Sequence, residues 1–179
     1  SIAKITGVKA CQAIRKQFGK DFVSLMPTNL YGINDNFDLK TSHVVPAMIR
    51  KFHDAKENGA ASVELWGSGT PMREFLFVDD LAEAVYFALE NTLPEYLYNV
   101  GTGTDLTIRE LAEQIRTTVG FEGEILWDAT KPDGTPRKLM DSSKMHHLGW
   151  SPKVSLEEGI QQTYHWFLQN KDSFKQVKL

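Results

Sequence analysis

Cysteine is almost missing from this sequence: Cys11 is the single one in 179 residues. No disulfide can close within the chain and no multi-cysteine metal site can form, so a reducing, cytoplasmic setting is the expectation. Long apolar runs are missing too. No stretch is long enough to cross a membrane and no signal-peptide pattern opens the chain, so no membrane partner is expected. Excess charge of either sign is absent: 20 Lys and Arg face 23 Asp and Glu, a net charge of −3. That balance leaves no basic footprint for nucleic acid. Phosphate recognition stays open, because it needs only a local cluster of donors. Repeats and low-complexity linkers are absent. There is also no initiator Met and no N-cap cluster before the first apolar residues, from which the chain is expected to be the back part of a longer protein.

What is present reads as folded protein. Hydrophobic residues at 41% and charged residues at 24% exclude a disordered chain, and the length suits one domain, or a small domain with part of another. In "SIAKITGVKACQAIRKQFG", Ile2, Ile5, Val8, Cys11, Ile14 and Phe18 recur at steps of three or four, which predicts a helix stopped at Gly19. Residues 22–26 predict a short buried strand ending at Pro27. "INDNFDLKTS" is a polar loop, and "HVVPAMIRKFHDAKENG" a helix with Pro46 near its first turn and Gly59 past its end. "SVELW" and "EFLFV" are strand candidates around the turn "GSGTP", and "DDLAEAVYFALEN" is a helix opened by two acids. "YLYNVGTG" is a strand running into a glycine turn. Thr107 with Glu110, and Ser155 with Glu158, form capping-box patterns that start two more helices. Between them lie a strand "EILW", a long loop "DATKPDGTPRK" and a short helix in "DSSKMHHLGW". The tail "KDSFKQVKL" is expected to be loose. Strands alternating with helices predict an α/β fold with mainly parallel strands.

Polar residues gather where these strands end. Arg73 follows a flexible turn and opens an apolar strand. Alone it reads as a surface arginine in a weak salt bridge; beside turn glycines that admit close approach, its planar fork suits a phosphate. Trp66, on the other lip of the turn, is either core packing or a flat face for a ring or sugar. In "MPTNLYG" a strand ends at a sheet's carboxyl edge, where α/β proteins bind ligands. Asn29 there either closes an Asx turn or bonds a cofactor. "KPDGTPRK" places Lys131, Asp133, Arg137 and Lys138 on one loop, as a sugar-contacting segment or as a solvated charged loop. None of the five histidines has a recognised metal spacing. His43, at a helix start, suits general acid/base work near neutral pH; His53, His146, His147 and His165 are expected to have no chemical role.

Taken in order, these motifs resemble a known family. "SIAK" looks like the end of the Tyr-x-x-x-Lys motif of short-chain dehydrogenases, with the Tyr falling one position before Ser1. "PTNLYG", "REFLFVDDLAEA" and "YNVGTG" resemble later motifs of the extended branch, which works on nucleotide sugars. "TSHVVPAMIRKFHDA", "WGSGTPMREF" and "KPDGTPRK" are closer still to the GDP-L-fucose synthase family within it.

The resemblance implies the C-terminal part of an NAD(P)-binding Rossmann-like extended short-chain dehydrogenase, with a smaller α/β substrate-binding domain. Residues 1–40 would end the dinucleotide-binding domain. Residues 41–179 would be mainly substrate-binding, interleaved with returning Rossmann elements near 74–100. It implies a two-step reaction: inversion at C3 and C5 of a GDP-4-keto-6-deoxy sugar, then reduction at C4 by NADPH. Lys4 would hold the nicotinamide ribose and favour the phenolate of the Tyr. Pro27, Thr28, Asn29 and Leu30 match the cofactor-contacting stretch, and His43 the acid/base histidine beside the cofactor. Lys51, Trp66, Arg73 and Asp133 match substrate-contacting positions, Lys51 standing where relatives can carry arginine. Asp79 and Asp80 look structural. A homodimer through the first helix is implied. The family's glycine-rich turn and its catalytic Tyr, Ser and Cys have no counterpart, and Cys11 does not match that Cys, so the chain alone is expected to bind NADPH poorly and not to turn over. The rivals are another nucleotide-sugar epimerase or dehydratase, a non-catalytic nucleotide-sugar binding module, and a scaffold without ligand.

Overall fold

A computed structural model describes residues 2–172; residue 1 and residues 173–179, which include most of the tail expected to be loose, lie outside the described residues. Helix α1 (Ile2–Phe18) ends at Gly19, in the left-handed conformation at φ 63°. The next strand is one run of chain that changes partners. Its first part, β1 (Ser24–Pro27), lies parallel to β6 (Leu97–Val100); its second, β2 (Asn29–Tyr31), lies parallel to β5 (Phe75–Phe77). Helix α2 (Val44–Glu57) carries Pro46 in its first turn, where a backbone N–H has no helical partner to lose. Strand β3 (Ser62–Trp66) pairs in parallel with β8 (Glu124–Asp128).

The run "REFLFV" forms two strands rather than the single one expected. Strand β4 (Met72–Arg73) and β5 are broken at Glu74, and α3 (Val78–Glu90) follows β5 directly. Strand β7 (Leu106–Thr107) leads into α4 (Ile108–Val119), whose capping box forms in both directions between Thr107 and Glu110. The long loop is not wholly irregular: β9 (Arg137–Lys138) adds to the edge of β4. After α5 (Ser143–His147) comes α6 (Leu156–Asn170). Only half of its expected box forms, since Ser155 Oγ accepts from the Glu158 N–H while the Glu158 carboxylate accepts from Gln162. Among the described residues four strand pairs are parallel and one, β4 with β7, is antiparallel, so the mixed α/β character follows the alternation of elements.

Two buried clusters meet at β5. Phe75 and Phe77 enter the larger one, with Ile49 and Phe52 of α2, Leu111 and Ile115 of α4, and Ile160 and Phe167 of α6. Leu76 points the other way, into a cluster with Ala84, Leu93, Tyr98, Val100, Met145 and Trp150. Full burial stabilises by about 1.5–3 kcal/mol for each such side chain, so packing on both faces holds this three-residue strand more firmly than its short ladder could. Asp80 is buried on the first turn of α3 and accepts from the Lys153 and Val154 N–H groups (2.9 and 3.1 Å), which clamps the approach to α6 and fits the structural role expected of it. Helix α1 stands apart. None of its residues is buried, and Arg15 links it to the body through the Leu93 carbonyl and pairs with Asp21.

Glu74 sits fully buried at the break between β4 and β5 without an ion-pair partner among the described residues. Its Oε1 accepts from Gly103 N–H (2.8 Å) and the Thr102 hydroxyl (3.3 Å), and its Oε2 from Met140 N–H (3.2 Å). Its carbonyl accepts from Thr28 Oγ1 (3.2 Å) and Asn29 Nδ2 (2.7 Å). Replacing Glu74 by Gln turns one acceptor into an amide that must face N–H donors. We expect Glu74→Gln to destabilise the fold by about 3 kcal/mol, read as a lowered midpoint in urea denaturation.

His53 is the buried histidine. Lys171 Nζ donates to its Nε2 (3.4 Å), which leaves the proton on Nδ1 for the Tyr164 hydroxyl at 3.1 Å. Burial, then the Lys171 charge, hold His53 below its ordinary value. The unfolded state therefore takes up a proton first as pH falls through about 6.5. His53 costs nothing above that pH and destabilises progressively below it. The melting temperature is expected to drop between pH 7 and pH 5, and the drop should be shallower in His53→Gln; equal slopes for the two proteins would contradict this.

Candidate functional site

The site begins at the turn after β3. Gly67 and Gly69 adopt φ of 82° and 76°, a region glycine enters without strain. The close approach that they allow is to the protein itself. A Cβ at Gly67 would run into Asp133 Oδ1, and one at Gly69 would lie 2.7 Å from the Trp127 ring. Asp133 seats both its oxygens on Ser68, accepting from the N–H (2.7 Å) and the hydroxyl (2.8 Å). That N–H, and then the hydroxyl, hold the Asp133 carboxyl below its ordinary range.

Trp66 projects from this turn 69% exposed, which removes the core-packing reading. Lys51 Nζ lies 6.0 Å and Lys131 Nζ 5.8 Å from its ring centre, both in cation–π range. Lys51 also donates to the Glu64 carbonyl (3.0 Å) and so is fixed relative to β3. Arg73 lies on β4 past the other end of the turn. Its guanidinium donates to its neighbour's carbonyl, Met72 O (2.7 Å), and has no carboxylate partner among the described residues, so the salt-bridge reading fails. Register sets Arg73 opposite Lys138 of β9, which puts two cations on one face of the small sheet. The next residue along, Arg137, is neutralised by a two-pronged contact with Asp105 (2.6 and 3.1 Å) that holds the Asp105 carboxyl low.

An open cleft of about 450 Å³ adjoins this sheet. Pro27, Thr28 and Asn29 line one side, and residues 137–140 the other. Asn29 spends its amide nitrogen across the chain on the Glu74 carbonyl, not on a local Asx turn, and its side-chain oxygen has no hydrogen-bond partner among the described residues. Leu30 does not line the cleft; it packs against the smaller core cluster.

His43 occupies the N-cap of α2 with its ring exposed and making no capping bond. The loop before it is self-bonded: Asp38 Oδ1 accepts from the Lys40 and Thr41 N–H groups and the Thr41 hydroxyl, and Asn36 Nδ2 donates to Thr41. Asp35 faces His43. Burial raises the Asp35 carboxyl, against the opposing pull of the Asn36 N–H and the His43 charge. Lys4 is exposed on α1. The structure thus groups Lys51, Trp66, Arg73 and Asp133 around one turn, with Pro27, Thr28 and Asn29 in the adjoining cleft. No hydrogen bond or ion pair among the described residues joins the His43 or Lys4 side chain to either group. No set of three or more His, Cys, Asp or Glu side chains among the described residues could hold a metal ion.

Three contributors were not singled out from sequence. Ser68 hid among turn residues, and Arg109 looked like an ordinary helix-surface charge. Glu74 did carry a signal, an acid inside an apolar strand run that needs buried donors.

Comparison with known proteins gives this geometry a context. The pattern of the NAD dependent epimerase/dehydratase family matches residues 1–101. GDP-L-fucose synthase 1 of Arabidopsis thaliana is 60% identical over 170 residues, 95% of this chain and 53% of its own length. GDP-L-fucose synthase of Escherichia coli (strain K12) is 53% identical over 184 residues, 98% of this chain and 57% of its own. The chain therefore spans about half the length of the curated relatives it matches. The solved structure of a GDP-L-fucose synthetase from Naegleria fowleri bound to NADP superposes with a TM-score of 0.85 at 27% identity, over 98% of this chain and 56% of that one. The Rossmann-like α/β character read from the sequence is that of these relatives, and the chain belongs to the NAD dependent epimerase/dehydratase family.

Proposed function

We propose that this chain supplies the C-terminal half of an NADPH-dependent GDP-4-keto-6-deoxy-D-mannose 3,5-epimerase-4-reductase, a GDP-L-fucose synthase. The observation that carries the reading is identity of 60% and 53% to two such enzymes across 95% and 98% of the chain. The exposed Trp66 between two lysines, with Arg73 and Lys138, neither in an ion pair among the described residues, past the other end of the turn, is a surface suited to a nucleoside diphosphate: a flat ring and a set of cations on a preformed wall.

The residues present also fit one end of NADP(H). Pro27, Thr28 and Asn29 line a cleft of a size usual for small ligands, and the Asn29 side-chain oxygen can accept from a carboxamide. When bound, NADPH supplies the hydride for C4. Lys4 presents a cation from α1 for a ribose hydroxyl. His43, exposed at its helix start, moves protons at C3 and C5, whose acidity comes from the adjacent C4 ketone. The exposed Ile2, Ile5 and Phe18 of α1 support a homodimer formed through that helix. The single cysteine supports a cytoplasmic setting.

The full-length protein is expected to oxidise NADPH with the 4-keto GDP-sugar and to bind GDP-sugars in preference to UDP-sugars. Equal affinity for both would favour another epimerase, and GDP-sugar binding without turnover a binding module. The 179-residue chain alone should show no turnover. His43→Gln is expected to cut solvent-deuterium incorporation at C3 and C5 by about 10²-fold or more, measured by NMR. Arg73→Ala should weaken GDP binding about tenfold or more, measured by calorimetry.

A further inference from the structure

Five residues between Trp66 and Met72 include two glycines, and a chain of that composition has much conformational freedom to lose. Something must hold it in one shape if Trp66 and Arg73, at its two ends, are to face a ligand together. Asp133 holds half of it, through the N–H and hydroxyl of Ser68. We propose that Arg109, on the first turn of α4, is a positioning residue that holds the other half and so sets affinity at the nucleotide-sugar site; this rests on the reading of that turn as the substrate wall.

Arg109 Nη2 donates to the Ser68 carbonyl at 2.7 Å, the one main-chain group of Ser68 that Asp133 leaves open. Its guanidinium lies 4.7 Å above the Trp127 ring, the same ring that fills the space beneath Gly69. Its own N–H donates to the Gly69 carbonyl (2.9 Å), and the Ile108 N–H donates to the Pro71 carbonyl (2.9 Å). The free donors at the start of α4 are thus spent on the turn rather than on an anion. The Thr107–Glu110 capping box fixes where that helix starts, and hence where Arg109 reaches. Arg109 forms no ion pair among the described residues, so its charge serves this carbonyl and this ring. A planar guanidinium meets both demands at once, lying flat on an indole while donating in its own plane. Lysine meets each only in part.

A residue acting through the turn should change binding and leave the chemical step alone. In the full-length enzyme, Arg109→Ala is expected to raise the KM for the GDP-sugar about tenfold, with kcat within about twofold and the KM for NADPH unchanged. Arg109→Lys should recover much of that loss, whereas Arg109→Gln, which keeps the stem but not the charge, should recover less. The melting temperature of each variant separates a local loosening from general unfolding, and should Arg109→Ala fail to fold, Arg109→Gln carries the KM measurement. A GDP-sugar KM unchanged in these variants, or a fall in kcat equal to the fall in kcat/KM, would overturn the proposal. Failure of the unsubstituted enzyme to accept any GDP-sugar would instead overturn the reading of the site on which it rests.

Discussion

A buried carboxylate with no ion-pair partner among the described residues governs how this protein is put together. Glu74 lies between two short strands at the one point where the chain passes from the small three-stranded sheet into the boundary between the two hydrophobic clusters. Buried acceptors are tolerated only when donors reach them. The donors here come from distant segments, near residues 28, 102 and 140. The carboxylate gathers the glycine turn after β6 and the end of the long loop, and the main-chain carbonyl of the same residue holds the strand end that lines the cleft. The cleft of Pro27, Thr28 and Asn29 against residues 137–140 is the space left between segments that Glu74 ties together.

The same economy appears at the turn after β3. Side chains that a sequence reader would give to a ligand are partly used on the protein. Asp133 spends both oxygens on Ser68, and Asn29 its amide nitrogen on Glu74. Arg73, Lys138 and Lys131 have no carboxylate partner among the described residues, while Arg137 next to them is neutralised by Asp105. Neighbours in sequence are thus separated into a structural pair and a free charge by strand alternation: Arg137 shares its face with Met72 and Lys138 shares its face with Arg73.

Much of the fold was legible in the residues. The helices of α2, α3, α4 and α6 follow from apolar spacing and start signals, because those signals are local: a capping box needs only residues three apart. The parallel character followed from the alternation of elements. Less legible were the split of "REFLFV" at Glu74, the change of partner at Thr28 and the strand inside "KPDGTPRK". Each depends on which distant segment lies alongside, and no local propensity records that. The grouping of Lys51, Trp66, Arg73 and Asp133 could be anticipated only through resemblance, since 82 residues separate the first from the last (133 − 51).

By itself the sequence determined the class of architecture, the helix boundaries marked by glycine and capping residues, the exclusion of a disulfide within the chain, and the residue types available for binding a phosphate or a flat ring. Those properties reside in composition and in spacings of two to four residues, where backbone geometry alone decides the outcome. Tertiary structure decided which of those residues keep their donors and charges free. A polar side chain satisfies its hydrogen bonds with whatever lies nearest in space, and the segments that lie nearest were brought there by burying Phe75, Leu76 and Phe77 on opposite sides of one short strand.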